Sequence, residues 1–308
     1  MSHRRFLLPR PVWAAIGAAS IVLQAILYTR WAADGGYRLA PHPDNEAVFP
    51  ILTALAVCGV FTAIFIARLV FLARIRAREP RRVALEATLY IGITLALWLE
   101  PLLNIAGTVY EYNAHSVGPI SSWAPYTPGW RGPPAHHAPH QPLTLWTAWM
   151  GGTAAGLFLG DLLIRFRRRH PRMSTARFSV IFVVGSILFT NLQDPLFFGL
   201  GITRWTKGPA HFTLWHGSWH QFPLTETICF TVLALELLGF YYWSRTAGTH
   251  FMDATPDTRP RLLRHVQPVL AVVGVATTIM LVYITLLVAF GQLATDTDTH
   301  LPAFWSTV

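Results

Sequence analysis

The chain is 308 residues long, 53% hydrophobic and only 13% charged. Soluble domains carry about 25% charged residues, so this composition argues against a soluble enzyme and against a disordered chain. The net charge of +9 rests on 24 basic residues, all of them arginine except Lys207, and its meaning depends on where they sit. Two cysteines, Cys58 and Cys229, lie in apolar runs and leave no disulfide framework or Cys-based metal knuckle.

A membrane-crossing helix needs about 20 mostly apolar residues. Seven segments qualify: 12–28, 49–73, 83–103, 143–164, 178–200, 223–243 and 266–292. The first is the shortest, carries Gln24 and follows Arg4, Arg5 and Arg10, as a signal peptide would. No small-x-small cleavage site follows it, so it reads as a retained helix. Most arginines then fall on one side of the membrane, before the first segment and in the 74–82, 165–177 and 245–264 connections. Only Arg30, Arg38, Arg131, Arg204 and Lys207 fall on the other. The positive-inside rule places the N-terminus inside and the C-terminus outside. The charge is therefore topological, and no nucleic-acid partner is expected. The expected fold is all-α: a polytopic membrane bundle of about seven transmembrane helices. Residues 1–308 form one transmembrane domain, because no soluble stretch is long enough to bury its own core.

Two outside loops are long and aromatic. Segment 104–141 holds six prolines with Trp123 and Trp130, and segment 201–222 holds Trp205, Trp215 and Trp219 with His211, His216 and His220. Long loops in compact domains are functional or disordered. The aromatic content argues against disorder, and an interfacial aromatic belt accounts for part of it. The loops belong to a weak internal helix-loop-helix echo. Glu100-Pro101-Leu102 matches Asp194-Pro195-Leu196, Ser122-Trp123 matches Ser218-Trp219, and Pro142-Leu143-Thr144 matches Pro223-Leu224-Thr225. Taken as a repeat, it runs parallel about an axis along the membrane normal. Chance similarity in Leu- and Pro-rich sequence is its rival.

Acids within spans are costly and are functional candidates by default. Glu86 and Asp161 lie near the inside face beside Arg82 and Arg165 and read as structural, and Arg68 is the expected partner of Glu236. Glu100, Asp194 and Glu226 have no arginine nearby in sequence. All three lie near the outer helix ends, two of them before a proline that breaks or kinks the helix. They are expected to converge beneath the aromatic loops, where a protonated carboxyl serves as general acid and an ionised one as base.

Among the outside histidines, His216 and His220 are four residues apart, a spacing that suits one helical face and a metal. Gly217 and Pro223 weaken that helix, so a proton shuttle or substrate hydrogen-bonder is the preferred role. His136, His137 and His140 sit among Gly and Pro and read as an exposed tip. Gly151, Gly152, Gly156 and Gly160 read as a close-packing face. Phosphate-loop, nucleophile-elbow and dinucleotide motifs are missing.

The run Trp98-Leu99-Glu100-Pro101-Leu102-Leu103-Asn104, followed by Tyr112-Asn113, Ser122-Trp123 and Pro128-Gly129-Trp130, resembles the spirocyclase AveC family of polytopic bacterial membrane proteins. The resemblance is strongest over 98–130. The acid before the first proline is usually aspartate in that family and is Glu100 here. The resemblance implies spiroketal formation in polyketide (macrolide) biosynthesis, with a dehydration in the founding member, and a place in the bacterial cytoplasmic (inner) membrane. It transfers no catalytic role, so roles are read from the residues. Glu100 and Asp194 are the expected acid and base, with Glu226, His216 and His220 as helpers. Tyr112, Asn113, Trp123, Trp130 and Trp219 are expected to line a pocket for an amphipathic dihydroxy-ketone, with no cofactor and no metal. The alternatives are a proton-coupled small-molecule transporter or binding protein, and a His-ligated metal-dependent membrane oxidase.

Overall fold

The computed structural model describes residues 9–38, 48–115, 120–134, 139–246, 261–296, 301–302 and 305; the side chains of 48–50, 139, 192–197, 261–264 and 295–296 lie outside that description. Seven long helices form the bundle: α1 Arg10–Ala33, α2 Val48–Ile75, α3 Pro80–Ala96, α4 Pro142–Arg169, α5 Thr175–Gly199, α6 Leu224–Thr246 and α7 Arg261–Gln292. Six helical segments among the described residues are long and apolar enough to cross a membrane. The seventh helix, α5, has 25 residues. The chain is a multi-pass membrane protein. Several helices open with proline at the first turn, where its missing N–H costs nothing.

Small residues set the packing, as expected where lipid supplies no hydrophobic drive between helices. A Cβ built on Gly17 of α1 would lie 2.1 Å from the Leu270 carbonyl oxygen, and one on Gly274 of α7 would lie 2.0 Å from that of Trp13. The backbones of α1 and α7 therefore touch. A Cβ on Gly151 of α4 would lie 2.5 Å from the Phe61 carbonyl oxygen of α2, and Gly160 brings α4 against Tyr241 of α6. These last two contacts give the α4 glycine series its physical role.

At the arginine-rich end the bundle is locked by ions. Arg68 is wholly buried. It donates from Nε and Nη2 to the two Glu86 oxygens, both at 2.8 Å, and from Nη1 to Asp161 Oδ2 at 2.8 Å. Arg82 also bonds Glu86 at 2.8 Å and contacts Asp161. The Tyr241 hydroxyl lies 2.9 Å from Glu86 and from Asp161 and accepts from Arg245 at 2.9 Å. The expected Arg68–Glu236 pair is thus not formed. Glu236 lies five residues before Tyr241, about 140° around α6, and its Oε2 has no hydrogen-bond partner among the described residues. Glu86 and Asp161 are structural, as expected: Arg82 pairs with both, and Arg68 meets them from α2.

At the opposite end, eight short strands among the described residues stitch the loops together: β1 Tyr110–Tyr112, β2 Ile120–Ser121, β3 Pro139–His140, β4 Thr203–Trp205, β5 Lys207–Gly208, β6 Thr213–Leu214, β7 Phe222–Pro223 and β8 Thr295–Asp296. They pair as four antiparallel two-stranded ribbons, β1–β4, β2–β3, β5–β8 and β6–β7. The β1–β4 ribbon joins the two long loops, with Tyr110 opposite Trp205 and Tyr112 opposite Thr203. The two echoed segments differ locally. After α3 the chain tightens into a 3-10 helix over Leu97–Asn104 that contains Pro101, whereas α5 continues as α-helix through Asp194-Pro195. Of the break or kink expected at Pro195, the break does not occur.

Candidate functional site

The 3-10 helix places Glu100, and proline explains its shape. In that helix the Trp98 carbonyl would accept the N–H of residue 101, which proline lacks. The indole of Trp123 donates to this carbonyl instead, at 2.7 Å. Asn104 closes the following turn. Its Oδ1 accepts from the backbone of Val109 at 2.8 Å and of Tyr110 at 3.0 Å, and its Nδ2 donates to the Tyr110 carbonyl at 2.8 Å. That turn launches β1. Alternation along the strand puts Tyr110 and Tyr112 on one face and Glu111 on the other, where Glu111 accepts from Arg204 at 2.7 Å. The same alternation on β4 turns Thr203 and Trp205 toward the tyrosines.

These faces close over a cavity of about 120 Å³. Its outer end is lined by Glu100, Tyr110, Tyr112, Thr144, Thr203, Trp205, Glu226 and Tyr283. Glu100 and Glu226 are both buried and line the same cavity. Tyr112 donates its hydroxyl to Glu100 Oε1 at 2.8 Å, and Tyr283 of α7 donates to Glu226 Oε1 at 2.7 Å. Among the described residues the second oxygen of each carboxyl has no hydrogen-bond partner, and neither do the hydroxyls of Thr144, Thr153 and Thr203 or the indole N–H of Trp205. Buried polar atoms are rarely left unpaired in one place. Here six of them line one cavity.

His140 stands behind Glu100. It is 2% exposed, not at a tip. Its β3 backbone pairs with Ile120, and Trp123 packs edge-on against its ring at 4.5 Å between centroids. Its Nδ1 lies 3.7 Å from Glu100 Oε2, too far for a hydrogen bond. Burial pushes the imidazole down to about 3, so it is neutral beside the carboxyl. Burial, and then the neighbouring Glu100 carboxyl, pushes the Tyr112 hydroxyl well above its ordinary range. Tyr112 therefore remains a donor.

The other residues singled out in the sequence fall elsewhere. Asp194 lies on α5, but its side chain is outside the described residues. Asn113 braces the loops: it takes the Ile202 carbonyl with its backbone N–H and the Gly201 carbonyl with Nδ2, both at 2.9 Å. Trp123 supports Trp98 and His140 and does not line the cavity. Trp130 donates to the Pro133 carbonyl at 3.0 Å, outside the cavity. His216, Trp219 and His220 belong to a turn, not a helix, in which Trp215 has φ 51° and Gly217 φ 82°. His216 is exposed, and none of the three lines the cavity. Positive φ at two positions breaks the four-residue spacing that would have put both histidines on one helical face. Among the described residues no group of three or more His, Cys, Asp or Glu comes together to hold a metal; His136 and His137 lie outside them. Sequence reasoning missed Tyr283, which carries no local signal within an apolar helix, and His140, whose Gly- and Pro-rich neighbours hid its burial.

A family model described as Spirocyclase AveC-like matches residues 80–307. That span holds every residue of the cavity's outer end. No curated protein and no solved structure matches the chain.

Proposed function

The chain belongs to the spirocyclase AveC-like family, and on that footing we propose that it closes a spiroketal on an amphipathic dihydroxy-ketone of polyketide type, in the bacterial cytoplasmic membrane, by acid–base catalysis. The observation that carries this reading is the pair of buried carboxyl groups that line one cavity, each held by a tyrosine through one oxygen with no partner on the other among the described residues.

The reaction needs these groups in complementary states. One hydroxyl of the substrate adds to the ketone carbon, its proton passing to the carboxylate, while the protonated carboxyl gives a proton to the ketone oxygen. The product is a hemiketal. Protonation of the hemiketal hydroxyl then lets its C–O bond break, and water leaves. The remaining carboxylate faces the oxocarbenium charge, and the second hydroxyl attacks and yields its proton to that carboxylate. The net change is loss of one water. Glu100 and Glu226 exchange the roles of acid and base across the two halves. Thr144, Thr203 and the Trp205 indole are placed to hydrogen-bond substrate oxygens and fix one folded conformer, where orientation contributes most. The electron-rich faces of Tyr110 and Trp205 favour the cationic state.

The test compares metabolites from cells carrying the wild-type gene, E100Q, E226Q or no gene. A species heavier than the final product by one water accumulates in the deletion and in both variants, as the ring-opened ketone or its hemiketal. If both variants deliver the spiroketal at wild-type yield and configuration, the assignment fails.

A further inference from the structure

The cavity extends well past the reacting groups. On α4 its lining runs from Thr144 to Gly156 and on α6 from Glu226 to Leu238, about 18 Å along each helix at 1.5 Å per residue. The unpartnered polar atoms of Glu100, Thr144, Thr203, Trp205 and Glu226 gather at one end, with Thr153 midway. Beyond Thr153 the wall is Gly156, Phe189, Leu233, Ala234, Leu237 and Leu238. One turn further, Gly160 meets Tyr241 so closely that a Cβ there would lie 2.9 Å from the ring. That contact ends the cavity above the ion network.

Shape narrows the occupant. A space of about 120 Å³ spread over about 18 Å of helix is long and narrow. We propose that the inner half is a subsite for a straight aliphatic chain, so that the substrate is an oxygenated head on a hydrocarbon tail, with Gly156 and Leu238 setting the tail length. This rests on the reading of the outer end as the reacting centre. A Cβ on Gly156 would meet Leu238 and Phe189 at 3.7 Å, ordinary contact. One methyl therefore fits at 156, and any larger side chain fills the end of the channel.

The experiment uses the full chain, purified in detergent, with straight-chain alcohols of increasing length as probes and intact-complex mass spectrometry as readout. Affinity rises with length up to a limit and then falls. Gly156→Ala keeps nearly the same limit. Gly156→Leu shortens it, and losing room for two methylenes weakens the longest retained alcohol by about tenfold. Leu238→Ala moves the limit the other way, so a folding defect in one variant does not decide the result. An alcohol bearing a photoreactive group at its far end labels α4 and α6 near Gly156 and Leu238. Length-independent binding, or label confined to outward residues such as Leu188, overturns the proposal. A glycerophospholipid chain that copurifies and is displaced by Gly156→Leu, with no change in alcohol binding, also overturns it as a substrate site. The E100Q and E226Q variants separate the two readings. Alcohols bound at full affinity while spiroketal yield is unaffected sinks the catalytic assignment alone. Lost yield with no chain-length dependence sinks the tail subsite alone.

Discussion

Arg68→Ala tests the inner lock most severely. Arg68 is 0% exposed and supplies three of the hydrogen bonds that hold Glu86 and Asp161. Its guanidinium also sits 4.6 Å from the Phe158 ring centroid. Truncation leaves two carboxylates buried with one fewer counter-charge, and breaking a buried pair in this way costs about 3–5 kcal/mol. At roughly 2 °C per kcal/mol for a chain of this size, the melting temperature should fall by about 6–10 °C. The assay is thermal unfolding in detergent at fixed scan rate, followed by tryptophan fluorescence and by loss of monodisperse protein. The double variant R68M/E86Q removes one charge of each sign and keeps the rest balanced, as Arg82 and Arg245 against Asp161 and Glu79. It should therefore lose less than Arg68→Ala alone, a coupling read directly from the double-mutant cycle. A loss under about 1 kcal/mol for Arg68→Ala, or a double variant as unstable as the single one, would refute the claim that this network locks α2, α3, α4 and α6 together.

Three further outcomes follow from the geometry. His140 titrates near 3 when folded and near 6.5 when unfolded. Between those values the unfolded chain holds a proton that the folded chain lacks. His140's contribution is therefore fully present above about pH 6.5 and is lost as pH falls, by about 1.4 kcal/mol per unit. His140→Gln, still packed by Glu100, Tyr112 and Trp123, should show a shallower acid slope than wild type, and parallel slopes would count against a neutral buried imidazole. Tyr283→Phe leaves both Glu226 oxygens without a partner, a loss of about 1–3 kcal/mol. In a reconstituted cyclisation assay it should lower kcat about tenfold to a hundredfold with little change in KM, and an unchanged kcat would remove Tyr283 from the machinery. Gly274→Leu drives a side chain into the Trp13 carbonyl and should destabilise by more than about 3 kcal/mol. Gly59→Ala, where a Cβ meets nothing within 4 Å, should be nearly silent, and equal behaviour of the two would contradict the α1–α7 contact.

Much of this protein is written locally. Each of the seven helices overlaps its expected span, and six of them hold described apolar segments long enough to cross a bilayer, because the hydrocarbon core tests every twenty-residue window on its own. The motif from Trp98 to Trp130 was visible as spaced residues. The structure supplies its physics: Pro101 removes a donor, Trp123 satisfies the orphaned carbonyl, and Asn104 closes the turn that aims Tyr112 at Glu100. Glu100 and Glu226 were also legible as candidates to meet, because both sit near helix ends, and they line one cavity.

Partnership was decided elsewhere. Arg68 chooses Glu86 and Asp161 over Glu236 because helix rotation, not depth alone, selects which side chains meet. Tyr283 reaches Glu226 across 57 positions of chain, and no periodicity within α7 announces it. His140 lies among Gly and Pro, the composition of an exposed tip, yet Trp123 and Tyr112 fold over it. His216 and His220 have the spacing of a helical pair, and positive φ at Trp215 and Gly217 disperses them. By itself the sequence determined which segments enter the membrane and which polar residues go with them, since the bilayer acts on each segment separately. Only the packed bundle decided which of those residues share a cavity, because that depends on the rotation of seven helices about their axes and on loop backbones pairing across the chain.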